Sequence, residues 1–224
     1  MISIIIPALN EAATIAATLN CMQSMRKRGH EVILVVGGSG DDTTAIAAPL
    51  VDCLIDSAAG RAAQMNNGAA AARGDLLWFV HADTGVSPDM DRLLLDALSR
   101  SDKLWGRFDI RLSGDAAALR IIAKMMNWRS RLSGIATGDQ GIFMRRDAFE
   151  RIGGFADIPL MEDIEICKRL KRAAGRPLCL SHKLTTSSRR WEKHGILPTI
   201  VLMWRLRLAY WLGAAPSDLA RQYR

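Results

Sequence analysis

The chain has 224 residues, 49% of them hydrophobic, and a formal net charge of +7. That length fits one domain, or one domain with an extension, and that apolar fraction excludes a disordered chain. Cys21, Cys53, Cys167 and Cys179 form no C-x-x-C pair, which argues against a zinc site or disulfide scaffold and suits a reducing cytosol.

Ile2 to Ile6 reads as a first strand stopped by Pro7, and the run is too short for a signal peptide. Asn10-Glu11 leads into an alanine-rich helix that reaches about Arg28 and ends at Gly29. Glu31 to Val36 is the second strand. A glycine-rich turn, Gly37 to Thr44, opens the next helix, where Asp or Thr caps the N-terminus. Cys53 to Ile55 is a short third strand, and Gly60 to Arg73 is helical, stopped by Gly74-Asp75. Leu76-Leu77-Trp78-Phe79-Val80 has the unbroken apolar pattern of a strand buried on both faces of a parallel sheet. It ends abruptly in His81-Ala82-Asp83-Thr84. Strands alternating with helices predict an α/β fold, a parallel sheet with βαβ crossovers.

Pro88 starts a helix to about Arg100, Leu104 to Leu112 is strand-like, and Ala116 to Leu132 is a Met- and Ile-rich helix. Gly138-Asp139-Gln140-Gly141 precedes a short strand, Ile142 to Met144. Asp147 caps a short helix that Gly153-Gly154 breaks. Met161-Glu162-Asp163 opens a helix with Ile164, Cys167 and Leu170 on one face, ended by Arg176-Pro177. A domain over residues 1–180 and a basic, partly apolar helical extension over 181–224 follow from this pattern. The extension carries eight Lys or Arg against Glu192 and Asp218. Such a tail suits an anionic partner (a membrane surface, a nucleic acid or a phosphorylated ligand) or is a solvated helix with no partner. Ile196 to Trp204 is too short to span a bilayer. Arg205 and Arg207 sit about 200° apart on a helix, so the segment is not cleanly amphipathic. Packing on the domain, a membrane interface and a homodimer contact all remain open for it.

Three polar clusters, Pro7 to Glu11, Gly37 to Thr43 and His81 to Thr84, fall at predicted C-terminal strand ends, where ligands bind in open α/β sheets. The chain lacks G-x-G-x-x-G after the first strand and lacks G-x-x-x-x-G-K-[ST]. That counts against a dinucleotide oxidoreductase and a P-loop NTPase. A single strand-end carboxylate such as Asp83 can hold Mg²⁺ or Mn²⁺ when phosphate oxygens and water complete the shell. A second carboxylate can then serve as general base. Asp163 suits that role, because a helix N-terminus favours an ionised acid. The spacing alone equally allows Asp83 to start a turn and Glu162-Asp163 to complement a helix dipole.

Taken together, Ile4-Ile5-Ile6-Pro7-Ala8-Leu9-Asn10-Glu11, Gly38-Ser39-Gly40-Asp41-Asp42-Thr43, Asn66-Asn67-Gly68-Ala69, His81-Ala82-Asp83 and Glu162-Asp163 resemble the inverting family-2 glycosyltransferases of the GT-A fold, in order and spacing, over about residues 1 to 180. Gly60-Arg61-Ala62-Ala63-Gln64-Met65-Asn66 and His81-Ala82-Asp83-Thr84 further resemble the radical-SAM/selenodomain-associated transferases of bacteria. The resemblance implies a nucleotide-diphosphate sugar donor, a divalent cation (Mg²⁺ or Mn²⁺), inversion at the anomeric carbon and a cytoplasmic enzyme. It implies no nucleic-acid partner.

Residue by residue, it implies that Pro7, Leu9 and Glu11 contact the nucleotide, with Gly37 and Gly38 beside them. Asp83 binds metal and diphosphate as the last acid of D-x-D, whose first position is His81. Asp163, next to Glu162, is the base of the E-D motif. Gly138, Asp139 and Gln140 border the acceptor side, and Arg61 and Gln64 contact base or phosphate. The acceptor is an unidentified hydroxyl, a polyprenyl-linked lipid being one option. One departure stands out: the acid that usually follows the second strand is replaced in Val35-Val36-Gly37-Gly38-Ser39. That departure keeps open a non-catalytic relative that binds a nucleotide or a lipid phosphate. A nucleotidyltransferase is the further alternative, although Pro7 to Glu11 lacks the basic glycine-rich loop such enzymes carry after strand one.

Overall fold

A computed structural model describes residues 1–223. The strands are β1 (Ile2–Ala8), β2 (Glu31–Val36), β3 (Cys53–Asp56), β4 (Leu76–Phe79), β5 (Trp105–Leu112), β6 (Phe143–Arg145) and β7 (Leu178–Thr186). They form one sheet in the order β3-β2-β1-β4-β6-β5-β7. β6 runs antiparallel to both neighbours, and every other pairing is parallel. Helices α1 (Ile15–Lys27), α2 (Thr43–Ala47), α3 (Arg61–Ala71) and α4 (Met90–Ser99) serve the first half, and α5 (Ala117–Ser133), α6 (Arg146–Arg151) and α7 (Glu162–Ala174) the second. The chain closes with α8 (Arg189–His194), α9 (Ile196–Trp211) and α10 (Pro216–Tyr223).

Side chains alternate along a strand with period two, so an all-apolar strand must be covered on both sides. Ile4, Ile6, Val32, Leu34 and Trp78 pack with Leu19 and Met22 of α1 and Leu94 of α4. Ile5, Ile33, Val35, Leu77 and Phe79 face the other way, onto Ala62 and Met65 of α3, Phe149 of α6 and Ile166 and Leu170 of α7. Gly68 lets α3 lie close on the sheet: a Cβ there would stand 2.4 Å from Ile5 Cγ2.

Two expectations need correction. Pro7 does not stop the first strand. It lies inside β1, in register with Val35. Its missing N–H costs no ladder bond, because Ala8 is the residue turned to β2, accepting from Gly37 N at 2.9 Å, and β4 has ended at Phe79, paired with Ile5. The boundary drawn at residue 180 falls inside β7, which pairs along β5 as far as Leu112↔Thr186. Its mixed polar pattern, with exposed Ser181, His182 and Lys183, hid an edge strand from the sequence reading. Beyond it the chain is helical as expected. Leu206 of α9 and Leu219 of α10 are buried against Met161 and Ile164 at the start of α7.

Candidate active site

β1, β2 and β4 are mutually parallel, so their C-terminal ends open onto one sheet edge and bring Glu11, Gly37 and His81 to Asp83 there. The loops after β1 and β2 are stitched together. Glu11 N donates to Thr43 Oγ1 at 2.8 Å, Ala12 N to Asp41 Oδ2 at 3.1 Å, and Gly40 N to Asn10 Oδ1 at 2.9 Å. The Asp41 carboxyl is held below its ordinary value, chiefly by the Thr43 hydroxyl. Leu9 and Gly38 are exposed at the rim, whereas Gly37 is buried. Gln64 is buried and turns inward. Its Nε2 donates to the carbonyls of Ala8 and Val35 at 2.8 Å each, tying β1 to β2 beneath Gly37.

Asp83 follows β4 in a turn closed by Thr84 N donating to His81 O at 3.1 Å. Its Oδ2 lies 3.5 Å from Arg189 Nη2, which also donates to Glu11 Oε2 at 2.9 Å. Arg189 belongs to α8, so the C-terminal segment reaches into the crevice. In the sequence Arg189 stands only as one charge of a basic tail. Among the described residues no cluster of three or more His, Cys, Asp or Glu is placed to hold a metal ion. Asp83 alone fits a hard cation that takes its remaining ligands from phosphate and water, the usual habit of Mg²⁺.

A second group faces the other side of the crevice. Arg61, His81, Gly138, Glu162 and Asp163 line one cavity with Phe79 and Phe155. Arg61 Nη1 pairs with buried Glu162 Oε1 at 3.1 Å. Asp163 Oδ2 accepts from Gly138 N at 3.0 Å, and Oδ1 from Ile164 N at 2.7 Å at the start of α7. Burial, then the neighbouring Glu162 charge, pushes the Asp163 carboxyl up to about 6, against the pull of the Gly138 N–H and Arg61. The expectation of an acid kept ionised by the helix dipole is thus only part of the balance.

His81 points toward this group. Its Nδ1 lies 3.2 Å from Asp139 Oδ1, and its ring presses on Gly138, where a Cβ would stand 2.3 Å from Nε2. Burial works to raise the Asp139 carboxyl, but the hydrogen bond and charge of His81, with Arg61, hold it below the ordinary range. Gln140 is buried and donates to Ser130 Oγ at 3.0 Å, fixing the Gly138–Gln140 turn to α5. Arg129 of α5 also feels Asp163 and Asp139. Burial lowers its pKa, and its Nε and Nη2 have no hydrogen-bond partner among the described residues. No local motif marks Arg129, which sits in a helix legible only as Met- and Ile-rich. Asp56 is exposed at the end of β3, in register with Val36.

The structure resembles solved glycosyltransferases of low sequence identity. Staphylococcus aureus TarS in complex with UDP-GlcNAc matches at TM-score 0.66 and 17% identity, covering 83% of this chain and 58% of that one. A mannosyltransferase from Pyrobaculum calidifontis, in complex with GDP-Man and Mn²⁺, matches at TM-score 0.68 and 18% identity, covering 93% and 60%. Both establish the GT-A architecture of an α/β chain with a mostly parallel sheet flanked by helices. An uncharacterized glycosyltransferase of Mycobacterium tuberculosis is 37% identical over 125 residues, 50% of this chain and 47% of the relative. The chain therefore spans about half the length of the curated relatives it matches. The Glycosyl transferase family 2 profile matches residues 3–153, and with the strand-end motifs and the fold in agreement the chain belongs to that family.

Proposed function

We propose that this chain transfers a sugar from a nucleoside-diphosphate donor to a hydroxyl acceptor, with inversion at the anomeric carbon and Asp163 as general base. The observation that carries the proposal is the placement of Asp163. Its carboxyl lines the cavity beside His81 and Arg61, hydrogen-bonded to Gly138 N and raised to about 6, close to working pH. An acid so tuned is ionised at neutral pH yet basic enough to take a hydroxyl proton. Glu162 keeps Arg61 in place, and the His81–Asp139 pair braces the turn that holds Gly138.

On the donor side, Glu11, Gly37 and Gly38 border the nucleotide, and Asp83 meets the diphosphate. Asp83 would hold Mg²⁺ or Mn²⁺ through one carboxylate bond, and such an ion supplies charge neutralisation on the departing diphosphate. Arg189 must leave Asp83 for that, and its guanidinium is then free to meet phosphate oxygens. The sequences Gly60 to Asn66 and His81 to Thr84 support placement in the radical-SAM/selenodomain-associated subgroup, acting in the cytoplasm.

A thermal-shift series with UDP and GDP, with and without Mn²⁺, tests the donor site. Stabilisation by a nucleoside diphosphate that grows with Mn²⁺ and vanishes in Asp83→Ala supports it. No response to any nucleotide refutes it. Val36 favours a second reading, a relative that binds a nucleotide without turning it over. Hydrolysis of a nucleotide sugar by the wild type, lost in Asp83→Ala, separates the two.

A further inference from the structure

Among the described residues, most exposed large hydrophobic side chains stand in two helical stripes. On α9 they are Leu197, Val201, Trp204, Leu208 and Trp211, with Trp204 65% and Trp211 75% exposed. At about 100° per residue these five fall within an arc of roughly 80°, and Arg205 and Arg207 lie roughly 80° to either side of its centre. The opposite side of the same helix, with Thr199 and Leu206, is the side buried on the domain. So α9 is apolar on both faces, and its two arginines, far apart around the helix, border one bare stripe. On α5 the exposed stripe is Ile121, Met125, Trp128 and Leu132. Neither helix contains a single Asp or Glu, and both carry Arg or Lys. Ile135, just beyond α5, packs in the small cluster that also seats Leu206 of α9.

We propose that these two stripes dock the protein on an anionic lipid bilayer, lying in the interface without crossing it. Isolated exposed hydrophobes need no explanation, but continuous stripes do. Tryptophan is the residue that sits best at the lipid–water boundary, and flanking arginines reach back to the headgroups. Electrostatic attraction to acidic lipid adds to the burial of apolar surface. No described helix is long and apolar enough to cross a membrane, which fits a surface contact. A second copy of the chain is the poorer occupant: the arginines of one copy would meet those of the other, with no carboxylate on either helix to pair them. One consequence rests on the function proposed above. Leu206 of α9 packs on Met161 and Ile164, which flank Glu162 and Asp163. A bilayer on the exposed stripe of α9 would therefore lie one helix away from α7, which carries the proposed base, and a lipid-linked hydroxyl acceptor would reach it around α9.

The test uses the full chain in co-sedimentation with phosphatidylcholine vesicles with and without phosphatidylglycerol, alongside the double variant Trp204→Glu/Trp211→Glu. Both positions are exposed, so the variant should melt at the wild-type temperature, and Trp128→Glu on α5 gives a second, independent variant. The expected result is pelleting with phosphatidylglycerol vesicles, a blue shift of tryptophan fluorescence, and at least about tenfold weaker binding in each variant and at high salt. Wild-type protein that stays in the supernatant with phosphatidylglycerol vesicles overturns the proposal. So does a concentration-dependent dimer that the double variant dissolves while vesicle binding is absent. Nucleotide-sugar hydrolysis without vesicles should be unchanged in the variants, which keeps a failure of docking distinct from a failure of the proposed chemistry.

Discussion

Replacing Asp163 with Asn should lower activity and remove a pH-dependent stability penalty at once, and the two effects have separate pH signatures. The carboxyl sits at about 6 against an ordinary 3.8, because burial and then Glu162 disfavour its charge. A folded-state value above the unfolded one means that ionisation opposes folding. The penalty is absent below the unfolded value, accrues as pH rises through the interval, and is complete above about 6. At about 1.4 kcal/mol per unit, roughly two units amount to about 2–3 kcal/mol. Asn carries no charge and keeps one oxygen for Gly138 N, but its amide NH₂ takes the place of the oxygen that accepts from Ile164 N, a pH-independent loss. The melting temperature of the variant relative to the wild type should therefore be roughly 4–10 °C more favourable at pH 8 than at pH 4. Loss of the base should cut kcat/KM by about 10²–10⁴. In the wild type, kcat/KM should rise about tenfold from pH 5 to pH 7, following ionisation of one group near 6. Melting curves at the two pH values and a transfer assay at saturating donor measure both halves. If the variant kept wild-type turnover with donor affinity unchanged, or gained nothing relative to the wild type between pH 4 and pH 8, the assignment of Asp163 would fail.

Two further outcomes follow from charge placement. Arg189→Ala removes a guanidinium that competes for Asp83, and an exposed pair of this kind is worth little, so Mn²⁺ binding measured calorimetrically without nucleotide should tighten by only about two- to fivefold. Arg107 is fully buried, bonded to Asp109, which also takes Arg131 Nη2 at 2.8 Å. Asp109→Ala strands that buried cation and should cost about 3–5 kcal/mol in chemical denaturation, whereas a charge-removing change at exposed Asp102 should cost almost nothing.

How much of this was legible in the chain depended on whether a signal was local. The buried strands β1, β2 and β4 are continuous apolar runs, and that pattern follows from cover on both faces. The polar clusters at their ends were legible for the same reason: where the run stops, the sheet edge opens. Asp83 is legible in this way, at the end of β4, whereas Asp163 is legible only as an acid in the first turn of a helix. Gln64 could not be placed correctly, because a glutamine in a motif gives no sign of whether its amide faces a ligand or two backbone carbonyls. β7 is not legible because its pairing with β5 shifts register between Phe108↔Leu180 and Asp109↔Lys183, and the exposed Ser181-His182-Lys183 at that irregularity breaks the strand alternation. Arg189 was invisible as a site residue, since its partners Glu11 and Asp83 lie 178 and 106 positions away in the chain.

Arg189 also shows why the C-terminal segment belongs with the site. It reaches back to hold two carboxylates that face the donor crevice, and seven residues later the same segment begins the helix that packs beside Asp163. On the function proposed above, a negatively charged diphosphate entering the crevice would meet Glu11 and Asp83 already neutralised in part by Arg189, which would lower the repulsion it would otherwise face. A divalent cation meets the opposite situation, because the guanidinium holds the carboxylate it needs. Cation and diphosphate should therefore bind best together, each removing the obstacle to the other, since the diphosphate can draw Arg189 off Asp83 as the cation arrives. Positive coupling of that kind is reciprocal, so Mn²⁺ should tighten nucleotide binding by the same factor as nucleotide tightens Mn²⁺. In Arg189→Ala the factor should shrink, which distinguishes a guanidinium that moves between the two ligands from one that merely decorates the rim.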